Sequence, residues 1–367
     1  MEKETFYRLA LVHYPNYGNS TIRKMIRLAG SATALFEQHE QVAAKLNMGS
    51  GKIKLPAMTS SVEKFVINEI EQARQRGIRI CFFDSDNYPA RLRGCTDAPY
   101  CFYYLGSGQF DFGKMLAIVG TRSASNYGKD AVKRIVEDLA PYNVCIVSGL
   151  ARGIDTCAHE EALKWQLNTV AVLGCGLRTV YPPENMLLAQ RILEAGGSVI
   201  SEFPYDTLPD RLNFPQRNRI IAGMSDAVVV AESQIKGGSI ITAQIAHSYN
   251  RDVFAVPGSI FQKMQNGCHE LIRKNVAALV YSGENVLEMM GWDSDRKNGV
   301  QRCLFVDLSE EEEAVLSIVR KLEEATLDGI AKLLPDMTSS HIASLLLGME
   351  LKGVVECRPG KFYTTIY

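Results

Sequence analysis

Residues 116–149 read LAIVGTRSASNYGKDAVKRIVEDLAPYNVCIVSG, and this stretch decides the fold. It contains two apolar runs, residues 116–119 and 144–147, and a glycine follows each of them within two residues. The segment between the runs, residues 127–139, carries its apolar residues at helical spacing. Short continuous apolar runs that flank a helix are typical of parallel strands buried on both faces of a sheet. The stretch therefore predicts a strand–helix–strand unit with a glycine turn after each strand.

The same alternation continues toward the C-terminus. Further apolar runs occupy residues 169–173, 199–200, 227–230 and 253–256. Helical stretches lie between or beside them at residues 156–165, 186–193 and 240–248. Strands that alternate with helices predict an α/β fold, a doubly wound, Rossmann-like parallel sheet with helices on both faces. We assign residues 80–292 to this domain.

The two ends of the chain have a different character. Residues 1–75 look helical, with turns at 15–18 and 49–51, and fit either a SAM-like or helix-hairpin-helix unit or a small helical cap without a ligand. Residues 300–367 predict three helices followed by a hairpin, which is winged-helix-like architecture. On the third helix Ile342, Leu345, Leu346 and Met349 form one apolar stripe. A length of 367 residues fits these three domains, 1–75, 80–292 and 300–367.

Composition narrows the class of protein. Apolar residues make up 46% of the chain and charged residues 22%, as in ordinary globular proteins. No apolar run reaches the roughly 18–20 residues that a membrane span needs, and the N-terminus does not resemble a signal peptide. The nine cysteines include no Cys-x-x-Cys pair, which argues against a zinc site and for reduced thiols. We expect a cytoplasmic protein that contacts no membrane, binds no metal and keeps Cys145 and Cys175 buried.

The charge is unevenly distributed along the chain. The net charge is −1, but residues 1–114 carry +4, residues 115–285 carry 0 and residues 286–367 carry −5. A site for nucleic acid in the central domain must therefore be a local basic patch on a neutral body. The acidic C-terminal segment is a poor candidate for binding phosphate.

Four glycine turns follow strands of the predicted sheet, where ligands of open α/β sheets bind. Glycine lets the backbone approach a phosphate, and free N–H groups of a helix N-terminus attract anions. Tight turns need glycine in any case, but three of these turns also carry an arginine, which favours an anion site. The candidate binding residues are Gly120, Arg122, Ser148, Gly149, Arg152, Gly174, Gly176, Arg178, Gly238, Ser239 and Thr242.

A second basic segment, residues 213–223, places Arg217, Asn218 and Arg219 directly before an apolar helix start. The planar guanidinium of arginine can bind two phosphate oxygens, and an asparagine can bind a base edge or a sugar. The alternative is that an arginine forms an ion pair with Glu202 or Glu232. We expect one arginine to be structural and the other to face the ligand.

Motifs for nucleotide cofactors and catalysis are missing. Gly174-Cys175-Gly176 does not continue as a dinucleotide fingerprint, no Walker A motif occurs, and the Gly237-Gly238 turn lacks the trailing glutamate of a phosphoribohydrolase. His159 is interpreted as a helix-surface or capping residue and not as a base. We therefore expect no catalytic residue, no cofactor and no enzymatic activity.

Residues 88–272 resemble the DNA-processing protein A family, also called DprA or Smf. The matching motifs are Tyr88-Pro89-x-x-Leu92, Gly120-x-Arg122-x-x-Ser125-x-Tyr127-Gly128, Ser148-Gly149-x-Ala151-x-Gly153-Ile154-Asp155-x-x-Ala158-His159, Tyr181-Pro182-x-x-Asn185, Ser201-Glu202-x-Pro204, the run 214–223, Gly238-Ser239-x-Ile241-Thr242-Ala243 and Val256-Pro257-Gly258. The chain departs from the family at Arg178, where an acid is common, at Gly237, where a serine is common, and at His269 and Asn275, which replace Asn and Gly.

The resemblance implies an extended Rossmann domain that binds single-stranded DNA at the glycine turns. It also implies dimerisation, protection of incoming DNA and loading of RecA recombinase during natural transformation. Two alternatives stay open, a nucleotide-binding or nucleotide-cleaving enzyme of phosphoribohydrolase type on the same fold, and an interaction hub.

The predicted homodimer needs an apolar surface, and the end of the Rossmann domain is rich in apolar residues. About half of them are expected to pack the last helices, and the rest to face a second copy. They are Phe261, Met264, Leu271, Ile272, Leu279, Val280, Leu287, Met289, Met290 and Trp292.

Overall fold

The computed structural model describes residues 3–14, 17–38, 42, 56–293, 308–322, 325–335, 337–352, 354–358 and 362–365. The chain forms two compact units, Met1–Lys297 and Asn298–Tyr367. Pro15, Asn16 and the turn predicted at residues 49–51 lie outside the described residues. Across the described ranges, every helix is too short or too polar to cross a membrane.

The first unit begins with helices, in agreement with the helical spacing of its sequence. These are α1 (Lys3–His13), α2 (Asn19–Ala29), α3 (Ala32–Glu37) and α4 (Ser60–Gln75). Leu9, Met25 and Val66 of these helices are buried in one apolar cluster together with Phe82 and Tyr103 of the adjoining sheet. The helical segment therefore packs directly on one end of the sheet within the same unit.

Nine strands form the central sheet, in the order β1-β2-β6-β5-β4-β3-β7-β8-β9. They are β1 (Arg79–Phe82), β2 (Cys101–Gly106), β3 (Met115–Gly120), β4 (Cys145–Ser148), β5 (Thr169–Leu173), β6 (Ser198–Ser201), β7 (Ala227–Glu232), β8 (Asp252–Ala255) and β9 (Ala278–Leu279). Strands β3 to β9 pair in parallel, which confirms the doubly wound parallel sheet. The antiparallel strands β1 and β2, which extend this sheet beyond β6, were not predicted.

Helices cover both faces of the sheet, as the continuous apolar runs require. One face carries α6 (Asn126–Leu139), α7 (Ile154–Lys164), α8 (Met186–Glu194) and α12 (Gly283–Met290). The other carries α5 (Ala90–Arg93), α9 (Asn213–Met224), α10 (Gly238–Ser248) and α11 (Asn266–Arg273). Within β3, Leu116 and Ile118 face the first layer while Ala117 and Val119 face the second.

Helix α9 begins earlier than its sequence suggests. It starts at Asn213, ahead of Pro215, whereas we expected the helix after the Arg217–Arg219 segment. A proline is tolerated in the first helical turn because its missing N–H has no partner within the helix there. The earlier start places Arg217 and Asn218 inside the helix, and both are buried.

In the residues that the structure describes, the second unit contains three helices and a small sheet. Its elements are α13 (Glu310–Lys321), β10 (Ala325–Thr326), α14 (Leu327–Leu333), α15 (Ser339–Leu351), β11 (Val355–Arg358) and β12 (Phe362–Thr365). The strands are antiparallel in the order β10-β12-β11, and Ile342, Leu346 and Met349 of the predicted apolar stripe are buried. The order of three helices and a hairpin agrees with the sequence, and the winged-helix assignment stays a prediction.

Candidate anion-binding site

A cavity of about 460 Å³ opens at the carboxyl ends of β3 and β7. Strand order reverses at this point, since β4 to β6 follow on one side of β3 and β7 to β9 on the other. Such a reversal leaves a crevice between neighbouring loops, where open α/β sheets bind ligands. The described residues around the cavity are Val119, Gly120, Thr121, Arg122, Ser123, Ala151, Asp155, Phe214, Arg217, Asn218, Ile221, Ser233, Gln234, Gly237, Gly238, Ser239, Thr242 and Met264.

The turn after β3 forms one wall and is held by Glu232 at the end of β7. The N–H of Thr121 donates to the carbonyl oxygen of Glu232 at 2.8 Å. The N–H and hydroxyl of Ser125 donate to the two carboxylate oxygens of Glu232, each at 2.8 Å. Gly120 is required here, because a Cβ at this position would lie 2.5 Å from the side chain of Ile154. The hydrogen bonds to Glu232 and the close packing against Ile154 thus fix the turn after β3.

Arg122 extends from this turn across the ring of Phe214. Its guanidinium carbon lies 4.8 Å from the ring centroid, a distance at which a cation and an aromatic face attract each other. The side chain is exposed, and no ion pair joins it to a carboxylate within the part of the chain that the structure describes. Arg122 can therefore give its donors to an incoming anion.

Arg217 lines the same cavity but is largely occupied by the protein. Its guanidinium donates to the carbonyl oxygens of Gly149 and Val172, and its Nε donates to Oδ1 of Asn218 at 3.2 Å. Burial lowers the pKa of Arg217, and the negative charge of Asp155 opposes this change. Arg217 therefore contributes positive potential more than free hydrogen-bond donors.

Asp155 is the carboxylate that borders the cavity, and its oxygen is already engaged. The N–H groups of Gly149 and Ala151 donate to Oδ2 of Asp155 at 3.2 and 3.4 Å. Burial raises the pKa of Asp155, while the positive Arg217 and these N–H donors lower it. Asp155 thus holds the turn after β4 and compensates Arg217.

The opposite wall is the N-terminus of α10. Gly238 and Ser239 open this helix, and both border the cavity together with Thr242. The hydroxyl of Ser239 donates to Ser233 at 2.8 Å, which fixes its position. The first N–H groups of a helix have no partner within it and attract negative charge. This wall can therefore bind an anion opposite Arg122.

A smaller cavity of about 130 Å³ lies beside the first. Arg122, Phe214 and Arg217 border both cavities, while Gly149 and Arg152 border only the smaller one. The two cavities together contain nine of the fourteen predicted site residues: Gly120, Arg122, Gly149, Arg152, Arg217, Asn218, Gly238, Ser239 and Thr242.

The other predicted residues lie elsewhere. Ser148 is fully buried, and its hydroxyl donates to the carbonyl oxygen of Ile118 at 2.6 Å. Gly174 makes room for the Phe214 ring, which a Cβ would meet at 2.8 Å, and Gly176 lies against the backbone of Pro204 and Tyr205. These residues shape the loops and do not border either cavity.

Two of the predicted arginines are paired outside the cavities. Arg178 forms an exposed ion pair with Asp206 at 3.0 Å. The Nη2 of Arg219 donates to both carboxylate oxygens of Glu202, and its Nη1 donates to the carbonyl oxygen of Asp97. Arg219 is therefore held by Glu202, and Arg217 of the same segment is largely held by backbone carbonyls as well, so the expectation that one of the two faces the ligand stays a prediction.

His159 corrects an expectation, because it is fully buried and does not lie on a helix surface. Its Nδ1 lies 2.7 Å from the hydroxyl of Thr169, which itself donates to the carbonyl oxygen of Ile146. The hydroxyl proton is thus used, so Nδ1 of His159 must be the donor to Thr169. Burial, and secondarily the positive Arg217, lower the pKa of His159 to about 3. It is a neutral core residue.

Sequence reasoning missed the aromatic and acidic members of the site. Phe214 and Asp155 stand in the quoted motifs, but neither was assigned a place at a ligand. The signal for Phe214 was its position three residues before Arg217, which puts both on one face of a helix. Among the described residues, no group of three His, Cys, Asp or Glu side chains could hold a metal ion.

Comparison with known proteins gives the family context. A family model for DNA recombination-mediator protein A matches residues 79–291. Protein Smf of Escherichia coli is 43% identical over 205 residues, which are 56% of this chain and 54% of that protein. The DNA processing protein DprA of Bacillus subtilis is 35% identical over 241 residues, 65% of this chain and 80% of that protein. The matched region thus spans about half the length of the Smf protein and 80% of the DprA protein.

Two solved structures are similar in both fold and sequence. The DprA structure from Streptococcus pneumoniae superposes with a TM-score of 0.56 at 33% identity and covers 74% of this chain and 98% of that one. A DprA structure from Helicobacter pylori, described for its single-stranded DNA binding mode, gives a TM-score of 0.53 at 29% identity over 59% and 96% of the two chains. In both cases the sequence identity, 33% and 29%, is higher than a shared fold alone would produce.

Proposed function

The chain belongs to the DNA recombination-mediator protein A family, and we propose that it binds single-stranded DNA in the cavity at the carboxyl ends of β3 and β7. The observation that carries the proposal is the pairing of two unlike walls. An exposed arginine over an aromatic ring and a helix N-terminus that carries hydroxyl groups border the same cavity. Single strands are bound by this combination, because positive groups hold the backbone while aromatic rings stack on bases.

We further propose that the protein acts in the cytoplasm as a homodimer that protects incoming DNA and passes it to RecA recombinase. The name of the family supports a role in recombination, and the Helicobacter pylori relative supports the single-stranded ligand. The proposal includes no catalytic step.

The cavity itself argues against the rival enzyme of phosphoribohydrolase type. Hydrolysis of a nucleotide needs a carboxylate or another base that is free to move a proton. Asp155 is the carboxylate at the cavity in the described part of the chain, and it is held by two N–H groups and by Arg217. The binding of DNA without chemistry is the function that this arrangement supports best.

Fluorescence anisotropy of the full chain with a 20-nucleotide oligothymidine, titrated with salt, tests the proposal. Each phosphate neutralised on a single strand lowers log K by about 0.7 per unit of log salt. Phosphate contacts of the two or three arginines that border the cavities, Arg122, Arg217 and Arg152, predict a slope of roughly −1.5 to −2. A chain without affinity at low salt would refute the proposal, and release of ribose phosphate from AMP would favour the enzyme.

A further inference from the structure

We propose that Glu184 competes with a bound strand for Arg152, an arginine of a second nucleotide subsite, and that a phosphate of the strand displaces it. The subsite is the 130 Å³ cavity, where Arg152 would take a phosphate and Tyr181 would stack on a base. The inference rests on the proposed function, since it assigns a second contact to the strand that enters the larger cavity.

The first step is the continuity of the two cavities. The two cavities share Arg122, Phe214 and Arg217 as a common wall. A strand held on one side of Phe214 therefore meets the second cavity as soon as it extends past that ring.

The second step is the aromatic pair that marks the boundary. The rings of Tyr181 and Phe214 lie 5.8 Å apart and are tilted by 42°. Tyr181 keeps 39% of its surface exposed, so the side chain is accessible to a ligand in the cavity. Stacking of a base on an aromatic side chain is worth roughly a fivefold to hundredfold change in affinity and tolerates any base.

The third step is the rigidity of the loop that carries Tyr181. Asn185, four residues later, is buried and donates to the carbonyl oxygen of Leu150 and to the hydroxyl of Thr156, both at 2.8 Å. These two bonds fix the loop on the start of α7. Tyr181 is therefore held in place before any ligand arrives, which reduces the entropy cost of binding.

The fourth step is the competition for Arg152. The guanidinium of Arg152 donates to the carboxylate of Glu184, and both side chains are 61% exposed. Exposed ion pairs of this kind contribute little stability, whereas a phosphate offers an arginine two oxygens at once. A phosphate held nearby by the first cavity can thus replace Glu184. Arg122 has no such competitor within the described residues, so the competition concerns the second subsite alone.

The chain offers a matched control at Arg178 and Asp206. This ion pair is also exposed, with side-chain exposures of 61% and 50%, but it borders neither cavity. Glu184→Gln and Asp206→Asn remove the same charge from the surface. Only the first of them frees an arginine of the proposed subsite.

The experiment measures the Kd of a 20-nucleotide oligothymidine for the full chain at several salt concentrations. We expect Glu184→Gln to tighten binding about threefold to tenfold. Arg152 then binds a phosphate without competition from Glu184, which steepens the salt slope by up to about 0.7. Asp206→Asn should change the Kd by less than twofold. Tyr181→Ala should weaken binding at least fivefold, while Tyr181→Phe should restore it because the ring is retained.

Equal tightening by Glu184→Gln and Asp206→Asn would reduce the effect to net charge and overturn the inference. Unchanged affinity in Glu184→Gln and Tyr181→Ala, with normal binding by the wild type, would overturn it too and leave the proposed function intact. A wild-type protein that binds no oligonucleotide would defeat the proposed function first. Thermal unfolding of each variant confirms that these exposed substitutions leave the fold unchanged.

Discussion

Arg122 and Arg178 show how two arginines with the same sequence context differ in the folded protein. Both follow a strand and a glycine turn, so the sequence made both of them candidates. Arg122 borders both cavities and lies over Phe214, whereas Arg178 pairs with Asp206 on the outer surface. The difference lies in the loops, whose direction depends on contacts far apart in the sequence.

We predict that Arg122→Ala weakens binding of single-stranded DNA by about 1.5–3 kcal/mol, the range for a hydrogen bond to a charged group. Arg178→Ala, the matched control, should cost less than about 0.5 kcal/mol, because surface residues away from the ligand contribute little. Anisotropy titrations of the two variants at one salt concentration make the comparison. Equal losses in two well-folded variants would show that the strand does not run where we place it.

His159 makes the stability of the protein depend on pH. Its pKa is lowered to about 3 in the folded state, against about 6.5 when unfolded. The unfolded chain therefore takes up a proton in the range between these values while the folded chain does not, and stability falls as the pH falls below about 7. From pH 7.5 to 5.5 this one group should remove about 1.4 kcal/mol of stability.

Urea denaturation of the wild type and of His159→Gln at both pH values isolates the contribution. Glutamine can still reach Thr169 but does not titrate, so the loss between pH 7.5 and 5.5 should be about 1.4 kcal/mol smaller in the variant. The absolute stability of the variant does not enter this difference. If the free energy of unfolding had the same pH dependence in the wild type and in His159→Gln, protonation of His159 would not destabilise the folded protein.

At the scale of elements, the turn between β3 and α6 depends on a single side chain of a neighbouring strand. The buried carboxylate of Glu232 accepts from the N–H and hydroxyl of Ser125, which also caps α6. Glu232→Ala leaves the two half-buried donors of Ser125 without this partner, at a cost of at most about 1–3 kcal/mol for each group. We predict a total loss of about 2–4 kcal/mol in the free energy of unfolding.

The same substitution should loosen the turn that carries Arg122 and so weaken oligonucleotide binding severalfold. Glu137→Ala removes an exposed carboxylate from α6 itself and is the control, with a change in stability within about 0.5 kcal/mol. Urea denaturation and anisotropy on the same samples provide both values. A Glu232→Ala protein as stable as the wild type would show that water or another group replaces the carboxylate.

The strands of the parallel sheet could be predicted because each one is buried on both faces and so reads as a continuous apolar run. Strand β5 lies where the sequence places it, and β3 extends only one residue beyond each end of its predicted run. Strand β2 is different, since its place depends on pairing Tyr103 with Ser201 almost one hundred residues later. Residues 101–106 alone do not indicate such a partner, so the antiparallel extension was missed.

The site was predictable to the extent that glycine, arginine and helix starts follow strands in fixed order. Gly120, Arg122 and Ser239 meet at the cavity because parallel strands end on the same edge of the sheet. Ser148 is the last residue of β4, as Gly120 is of β3, yet its hydroxyl turns inward and donates to the carbonyl oxygen of Ile118. The direction of a side chain at the end of a strand depends on packing that the local sequence does not contain.

At the scale of the whole molecule, the second unit should be dispensable for binding a single strand. It carries seven Lys and Arg against eleven Asp and Glu, so its field repels phosphate. Helix α15 would be the recognition helix of a winged-helix domain, and it contains neither Lys nor Arg between Ser339 and Leu351. A reader of duplex DNA needs such residues, or Asn and Gln, on that helix.

We therefore predict that a chain without residues 298–367 binds a 20-nucleotide oligothymidine within twofold of the full chain. Anisotropy with the same oligonucleotide checks the value, and circular dichroism checks that the first unit remains folded. Arg122→Ala in the shortened chain provides the control, since it should still lose its affinity. A tenfold loss on truncation alone would assign part of the DNA site to the second unit.

The surface near the end of the first unit bears on the proposed homodimer. Of the ten apolar residues expected there, Leu271, Val280, Leu287 and Trp292 are buried in the protein core. Phe261, Leu279 and Met289 are 90%, 43% and 53% exposed. Strand β9, which contains Leu279, forms one edge of the sheet, and an edge strand offers unpaired backbone groups to another chain.

We predict that the wild type is a dimer in light scattering at tens of micromolar and that Phe261→Asp or Leu279→Asp shifts it toward the monomer. A charge buried in an apolar contact lacks a partner, which penalises association but not the folded monomer. Leu187→Asp is the control, because Leu187 is 72% exposed on α8, away from β9.

Two sites on one dimer turn the second contact with a long strand into an intramolecular event worth about 10²–10⁴ in avidity. The monomeric variants should therefore lose affinity for a long oligonucleotide that spans both sites and keep it for a short one. A wild type that is strictly monomeric, with an affinity independent of oligonucleotide length, would rule out this assembly.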